Sequence, residues 1–258
     1  MPFMQRTHAD ARAGRREARR PPPAPTPSAV RRALRGLGDF QDARFLQGFF
    51  KTAPGEYGAG DRFRGIRVPV LRRLARQFAA LPMPAVLRLL GSPWHEDRLL
   101  ALLLLVRRFE RGTVPERDRI AAAYLRHTRH VNNWDLVDLS APNIVGAWLL
   151  RRDASLLDRL AGSGSLWERR IAVVATLAFL RAGRLQPTFA IARRLLADRE
   201  DLIHKATGWM LREAGKREPA ALRRFLARHA ARMPRTMLRY AIERLPAAER
   251  RRWLRAGL

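Results

Sequence analysis

Trp134 and Asp138 stand four residues apart in the run NNWDLVDLS, a spacing that puts both on one helix face, one turn apart. A carboxylate and an indole on one face are a candidate pair for chemistry on a bound ligand. The same spacing also fits a core tryptophan and a solvated first-turn acid favoured by the helix dipole. Asn132 or Asn133 suits the N-cap of that helix, and Asp135, nearer its start, suits a structural role. Two more pairs set tryptophan beside a cation: Trp167 with Arg170 at i, i+3, and Trp209 with Lys205 at i, i+4, with Arg212 one turn later. A cation on phosphate with a ring against sugar or base holds a nucleic-acid backbone. Ordinary packing of each pair, with a snorkelling base, is the other reading. Repetition on successive elements favours the first.

The loop KTAPGEYGAGDRFRGIRVP, Lys51 to Pro69, carries Tyr57, Arg62 and Arg64 among its glycines. It either lets a ligand approach closely or turns between two helices. It has neither the Gly-Lys-Ser/Thr of a phosphate-binding loop nor a dinucleotide fingerprint after a strand. His127 and His130 have no evident third ligand, so no metal is expected, and no cofactor.

The elements that must position these residues are helical. Apolar residues recur at three- and four-residue spacings, as in Val30 to Phe50, Val70 to Phe78, Met83 to Leu90 and Trp94 to Phe109, and no sustained period-two alternation occurs. Pro69, Pro84, Pro115, Pro219 and Pro234 sit where new helices would begin. The expected fold is all-α. Residues 1–28, including RREARRPPPAPTP, are too polar and proline-rich to build a core and read as a disordered basic arm, with residues 29–258 as one domain.

The second helical stretch has an echo. SPWHEDRLLALLLLVRRF, from Ser92, resembles SLWERRIAVVATLAFLR, from Ser165, with Arg98 and Arg170 in register. Lys205 follows about one 36-residue unit after Arg170, and Trp134 one unit after Arg98. Helix pairs of that period stack into a solenoid with one concave surface, which Arg98, Trp134, Arg170 and Lys205 would line.

Composition narrows the partners. The chain has 51 basic against 23 acidic residues in 258, and only Lys51, Lys205 and Lys216 of the basic ones are lysine. The arginine skew reflects a GC-rich codon habit, but the excess over acids does not. A large single-sign field repels itself unless a polyanion relieves it, so nucleic acid is the expected partner, with a bland basic surface or an anionic membrane as the rival. Residues 212–258 carry 14 basic and 4 acidic side chains, whereas residues 112–168 carry 7 of each. A charged rim beside a neutral segment suits a groove with a non-electrostatic task inside it. The chain has no cysteine, which excludes disulfides, thiolate metal sites and a cysteine nucleophile. The longest apolar run, Leu99 to Val106, is far short of the roughly 20 residues that span a bilayer, and the first 30 residues, rich in Arg and Pro, hold no apolar stretch of the kind a signal peptide needs. A soluble, cytoplasmic monomer without membrane contact is expected.

Taken together, FFKTAPGEYGAGDRFRGIRVPVLRRLAR, NNWDLVDLSAPNIVG, LWERRIAVVATLAFLR, LIHKATGWMLREAGKREP and MPRTMLRYAIERL resemble the AlkD-type DNA alkylation repair family over about residues 40–255. The resemblance implies an α-solenoid of HEAT-like repeats with a concave, basic cleft for duplex DNA, and 3- or 7-alkylpurine DNA glycosylase activity without base flipping. It implies a catalytic role for Asp138 with Trp134 as its partner. Trp209 would cradle the DNA backbone and Arg170 would bind phosphate. Lys205, Arg98, Arg212 and Tyr57 complete the expected DNA-binding set. Where characterised members often carry a second tryptophan just before the motif, this chain has Asn133, and Tyr57 matches the family's tyrosine only loosely. A non-catalytic helical-repeat module binding nucleic acid or an acidic protein is the rival reading.

Overall fold

The computed structural model describes residues 25–256. The helices are α1 (Pro27–Gly36), α2 (Phe40–Phe49), α3 (Val68–Gln77), α4 (Met83–Leu90), α5 (His95–Arg111), α6 (Val114–Arg126), α7 (Trp134–Ser140), α8 (Ala147–Leu149), α9 (Ser155–Ala161), α10 (Leu166–Arg181), α11 (Gln186–Arg194), α12 (Asp201–Arg217), α13 (Pro219–His229), α14 (Arg235–Ile242) and α15 (Ala247–Ala256). Among the described residues β-structure is confined to an isolated bridge between Arg62 and Trp94, and no helix is long and apolar enough to cross a membrane. The all-helical expectation holds. Residues 1–24 of the expected arm lie outside the described residues. Pro27 and Ser28 already belong to α1, whose start is fixed by the Thr26 hydroxyl accepting from the Ala29 N–H.

Local chemistry sets the helix boundaries. The stretch from Val30 to Phe50 breaks in two because Asp39 leaves the helical conformation to cap α2, its carboxylate accepting from the Asp42 N–H at 2.8 Å. The prolines fall at helix starts: Pro69, Pro84 and Pro115 in first turns, Pro219 as the first residue of α13, and Pro234 as the cap of α14. Between α7 and α8 the chain widens into a π turn, Pro142–Gly146. Gly146 is required there, since a Cβ would lie 2.2 Å from the Ala175 carbonyl oxygen on α10.

The core runs along a stack of inner helices. α5 is buried nearly all round from His95 to Val106, and α10 from Arg170 to Ala175, as expected of helices enclosed by neighbours. α5 packs on α3, α4 and α7; α10 on α7, α9 and α12; α12 on α10, α13 and α14.

One device opens three of these helices, and it corrects the repeat register. Ser92, Ser163 and Asp198 each accept, through a side-chain oxygen, from the N–H two residues on: Trp94 at 3.2 Å, Ser165 at 3.1 Å and Glu200 at 3.0 Å. Those three residues are the N-caps of α5, α10 and α12. The serine hydroxyls donate to the acid five residues on, Asp97 at 2.8 Å and Glu168 at 2.6 Å. Six residues on, Arg98, Arg169 and His204 donate back to the carbonyls of Ser92, Ser163 and Asp198 at 3.0, 3.1 and 2.6 Å. The counterpart of Arg98 is therefore Arg169, not Arg170. Trp94 caps α5 from outside whereas Trp167 lies within α10, so matching tryptophans slips the alignment. In the corrected register the fifth residue after the cap is Asp138 on α7 (capped by Asn133), Arg170 on α10 and Lys205 on α12.

Candidate active site

Those three residues line one cleft. Its volume is about 860 Å³, and its walls include Tyr57, Trp134, Asp138, Arg170, Lys205, Trp209 and Arg212. Seven of the eight side chains expected from sequence are thus brought together.

Asp138 sits on the half-buried face of α7. The guanidinium of Arg170 grips it with two bonds, Nε to Oδ1 at 3.0 Å and Nη2 to Oδ2 at 2.8 Å, a paired geometry that fixes the carboxylate plane. Arg170 is itself held by the Leu202 carbonyl at 2.6 Å and is only 5% exposed. Burial pushes the Asp138 carboxyl up, Arg170 pulls it down and the charge of Asp135 adds to the rise; burial prevails and the group is raised from its ordinary value.

Aromatic rings form the wall beside it. Trp134 stacks on buried Phe50 at 5.2 Å between centroids and meets Phe49 edge-on at 6.0 Å. Its indole N–H donates to the Tyr57 hydroxyl at 3.3 Å, and Tyr57 in turn meets Trp167 edge-on at 6.3 Å. The ring faces are therefore locked by packing and a hydrogen bond together. Phe49, Phe50 and Tyr240, the last lining the cleft from α14, were not singled out in the sequence. The doubled phenylalanine ending α2 was the available signal.

The lining is balanced in charge. Lys51, Arg170, Lys205 and Arg212 face Glu56, Asp138, Glu200 and Asp201. Lys205 pairs with Asp201 at 2.8 Å, and that hydrogen bond raises its ammonium above the usual lysine value. Arg212 pairs with Glu213 and Glu243. The resemblance implied a basic cleft; the lining is instead balanced, and the chain's positive excess lies outside it.

Arg98 departs from expectation. It is 3% exposed, donating to Asp61 at 2.6 Å and to the Ser92 carbonyl, so it faces no surface. Its place is in a polar network beneath the Lys51–Pro69 loop. His95 bridges Asp61 at 3.2 Å and Asp135 at 2.8 Å, packed against the rings of Phe50 and Phe63, which stack on each other. Asn133 caps α7 and also donates to Asp61 at 3.3 Å. Glu96, wholly buried, accepts from three successive backbone N–H groups of the loop, Arg64 and Gly65 at 2.8 Å and Ile66 at 3.2 Å. Asp97 takes the Arg64 guanidinium in two bonds, 2.7 and 3.1 Å. Gly65 has φ +79°, and a Cβ there would lie 2.0 Å from the Asp39 carbonyl oxygen. The loop is thus a fixed connection that carries Tyr57 to Trp134. Among the described residues no cluster of three or more His, Asp or Glu is arranged to hold a metal ion.

His95 gives this network a pH dependence. Burial opposes its charge, but Asp135 and Asp61 overcome that and raise it from 6.5 to about 9. Its stabilising contribution is complete below the unfolded value of 6.5 and is lost as pH rises through about 9. The melting temperature should therefore fall across that window. A His95→Asn variant, melting lower at neutral pH, should lack this slope, and an equal slope in both proteins would refute the assignment.

No curated protein sequence matches the chain. A solved structure described as a predicted DNA alkylation repair enzyme from Enterococcus faecalis has a similar fold, with a TM-score of 0.63 at 17% identity, covering 82% of this chain and 98% of its own. The family model described as DNA alkylation repair enzyme matches residues 30–245. That span takes in every residue of the cleft and of the network behind it, and by it the chain belongs to the DNA alkylation repair enzyme family.

Proposed function

We propose that this protein is a monofunctional DNA glycosylase, hydrolysing the N-glycosidic bond of cationic 3- or 7-alkylated purines in duplex DNA without drawing the base into a pocket. The stacked helix starts support an α-solenoid of HEAT-like repeats with the cleft on its concave side. The observation that carries the reading is Asp138, a carboxylate held in one orientation by Arg170 in a cleft it shares with the fixed Trp134 indole and Tyr57 phenol. A purine alkylated at N3 or N7 is already cationic and leaves with the bond's electron pair as a neutral base, so no general acid is required. The remaining cost is positive charge on the deoxyribose as C1′–N breaks, an oxocarbenium-like state. Asp138 stabilises that charge and accepts a proton as water bonds to C1′. Trp134 and Trp209 offer π faces to the cationic sugar, and Tyr57 fixes the Trp134 ring. Lys205, kept protonated by Asp201, suits a phosphate contact and is a poor amine nucleophile, which supports hydrolysis without strand cleavage.

Release of free base from duplex DNA bearing 7-methylguanine or 3-methyladenine tests the reading. Well-folded protein that binds such DNA and frees neither base would be a non-catalytic helical-repeat module instead. Arg170 separates two roles. Asp138 and Leu202 engage all three of its guanidinium nitrogens and leave it 5% exposed, yet two N–H groups remain untaken; if a phosphate reaches them on binding, Arg170→Ala should weaken binding to all duplexes alike and lower the salt slope by about one unit. An unchanged slope with reduced excision would confine Arg170 to positioning Asp138.

A further inference from the structure

Helix α2 is held firmly yet buries none of its side chains. Phe40, Phe45 and Phe49 are 77%, 67% and 53% exposed. The anchors are polar: the Asp39 N–H donates to the Arg64 carbonyl at 2.8 Å, Arg67 pairs with Asp42 through two bonds of 2.8 and 2.9 Å, and the Gln47 amide donates to the Asp61 carbonyl at 3.2 Å. The fold thus fixes a helix while leaving rings in solvent that burial would have stabilised. Phe45 and Phe49 stack at 6.0 Å with 18° between planes, and Phe49 meets Trp134 edge-on. An aromatic surface therefore runs without a break from the candidate active site to the outside of α2. Exposed Arg44 adjoins it, and Lys51 lines the cleft where the helix ends.

Rings flanked by cations and continuous with a nucleic-acid cleft match the chemistry of base stacking. A face for a second copy or a protein partner would have no need of continuity with Trp134. We infer that the Phe45–Phe49 ledge is a stacking subsite for one unstacked nucleobase of the DNA held in the cleft, the base opposite the lesion, so that the alkylpurine itself enters no pocket. This rests on reading the cleft as a DNA site. Every base has a π face, so the ledge selects DNA in which a base leaves the helix easily rather than a sequence.

The test uses the full chain and two duplexes carrying 2-aminopurine, one with that base opposite an abasic analogue and one fully paired. Phe45→Ala should lower affinity for the first by on the order of 10- to 100-fold, the scale of one lost stacking contact, and barely change the second. Phe45→Trp should restore the affinity and quench the aminopurine fluorescence. Equal affinities in Phe45→Ala and the parent, or equal losses on both duplexes, would overturn the subsite while leaving the DNA cleft intact. So would a Phe45→Ala change confined to sedimentation mass, which would make the ledge an interface between copies. Failure of the unsubstituted protein to bind either duplex would overturn the cleft reading and the subsite together.

Discussion

Replacing Asp138 by asparagine should cut single-turnover excision of a cationic alkylpurine by about 10²–10³-fold, the usual scale for one preorganised electrostatic group. The amide keeps the shape and one acceptor for Arg170 but removes the charge that, in the proposed mechanism, stabilises the sugar cation. DNA binding should hold or improve slightly, because a negative charge leaves a phosphate-facing cleft. Since burial raises the Asp138 carboxyl, the excision rate of the parent should climb with pH along a limb displaced upward from ordinary carboxylates, and the variant should lose that limb. A purely structural Asp138 forecasts the reverse: a change of about 1 kcal/mol in stability with turnover per folded molecule preserved. Excision kinetics paired with a melting curve decide between them. Full activity in folded Asp138→Asn would end the catalytic assignment.

Glu96→Ala should be the most destabilising single change in the site's support. Glu96 accepts from the N–H groups of Arg64, Gly65 and Ile66, and a buried donor left unsatisfied costs about 1–3 kcal/mol. With water recovering part of the loss, the expected penalty is on the order of 3–5 kcal/mol, roughly 10 °C in melting temperature for a domain of this size. Catalysis should suffer as well, because the loop that carries Tyr57 to Trp134 loses its anchor. Glu96→Gln, keeping one acceptor oxygen, should fall between. A Glu96→Ala protein that melts with the parent would show that the loop finds its hydrogen bonds elsewhere.

The helices were legible because apolar spacing and proline placement are local signals, and burial acts on them directly. The cleft was legible in part: the 36-residue spacing set Arg170 and Lys205 on one face, but it paired them with Trp134 where the helix starts make Asp138 their counterpart, and the catalytic role of Asp138 came from the family resemblance. Arg98 was misplaced because the alignment followed tryptophan, a conspicuous residue that occupies different structural positions in α5 and α10. The serine, acid and arginine spacing of Ser92–Asp97–Arg98 and Ser163–Glu168–Arg169 was the truer guide. The network under the loop was not legible at all. HEDR reads as a solvated helix start, and only tertiary closure of a segment some 30 residues earlier turns Glu96 and Asp97 into buried acceptors.

The common position of Asp138, Arg170 and Lys205 separates the building of the wall from what the wall does. On α10 and α12 the start is fixed by other residues, Ser163, Glu168 and Arg169 on one and Asp198 and His204 on the other. None of these supplies the cleft's chemistry. The groove is in effect a row of equivalent sockets, read acid, base, base, the first two coupled by the Arg170 grip on Asp138 and the third free of it. Rewriting one socket alters which charges the groove can meet along a bound polymer without redesigning the scaffold, so a lineage or an engineer can retune recognition one helix at a time.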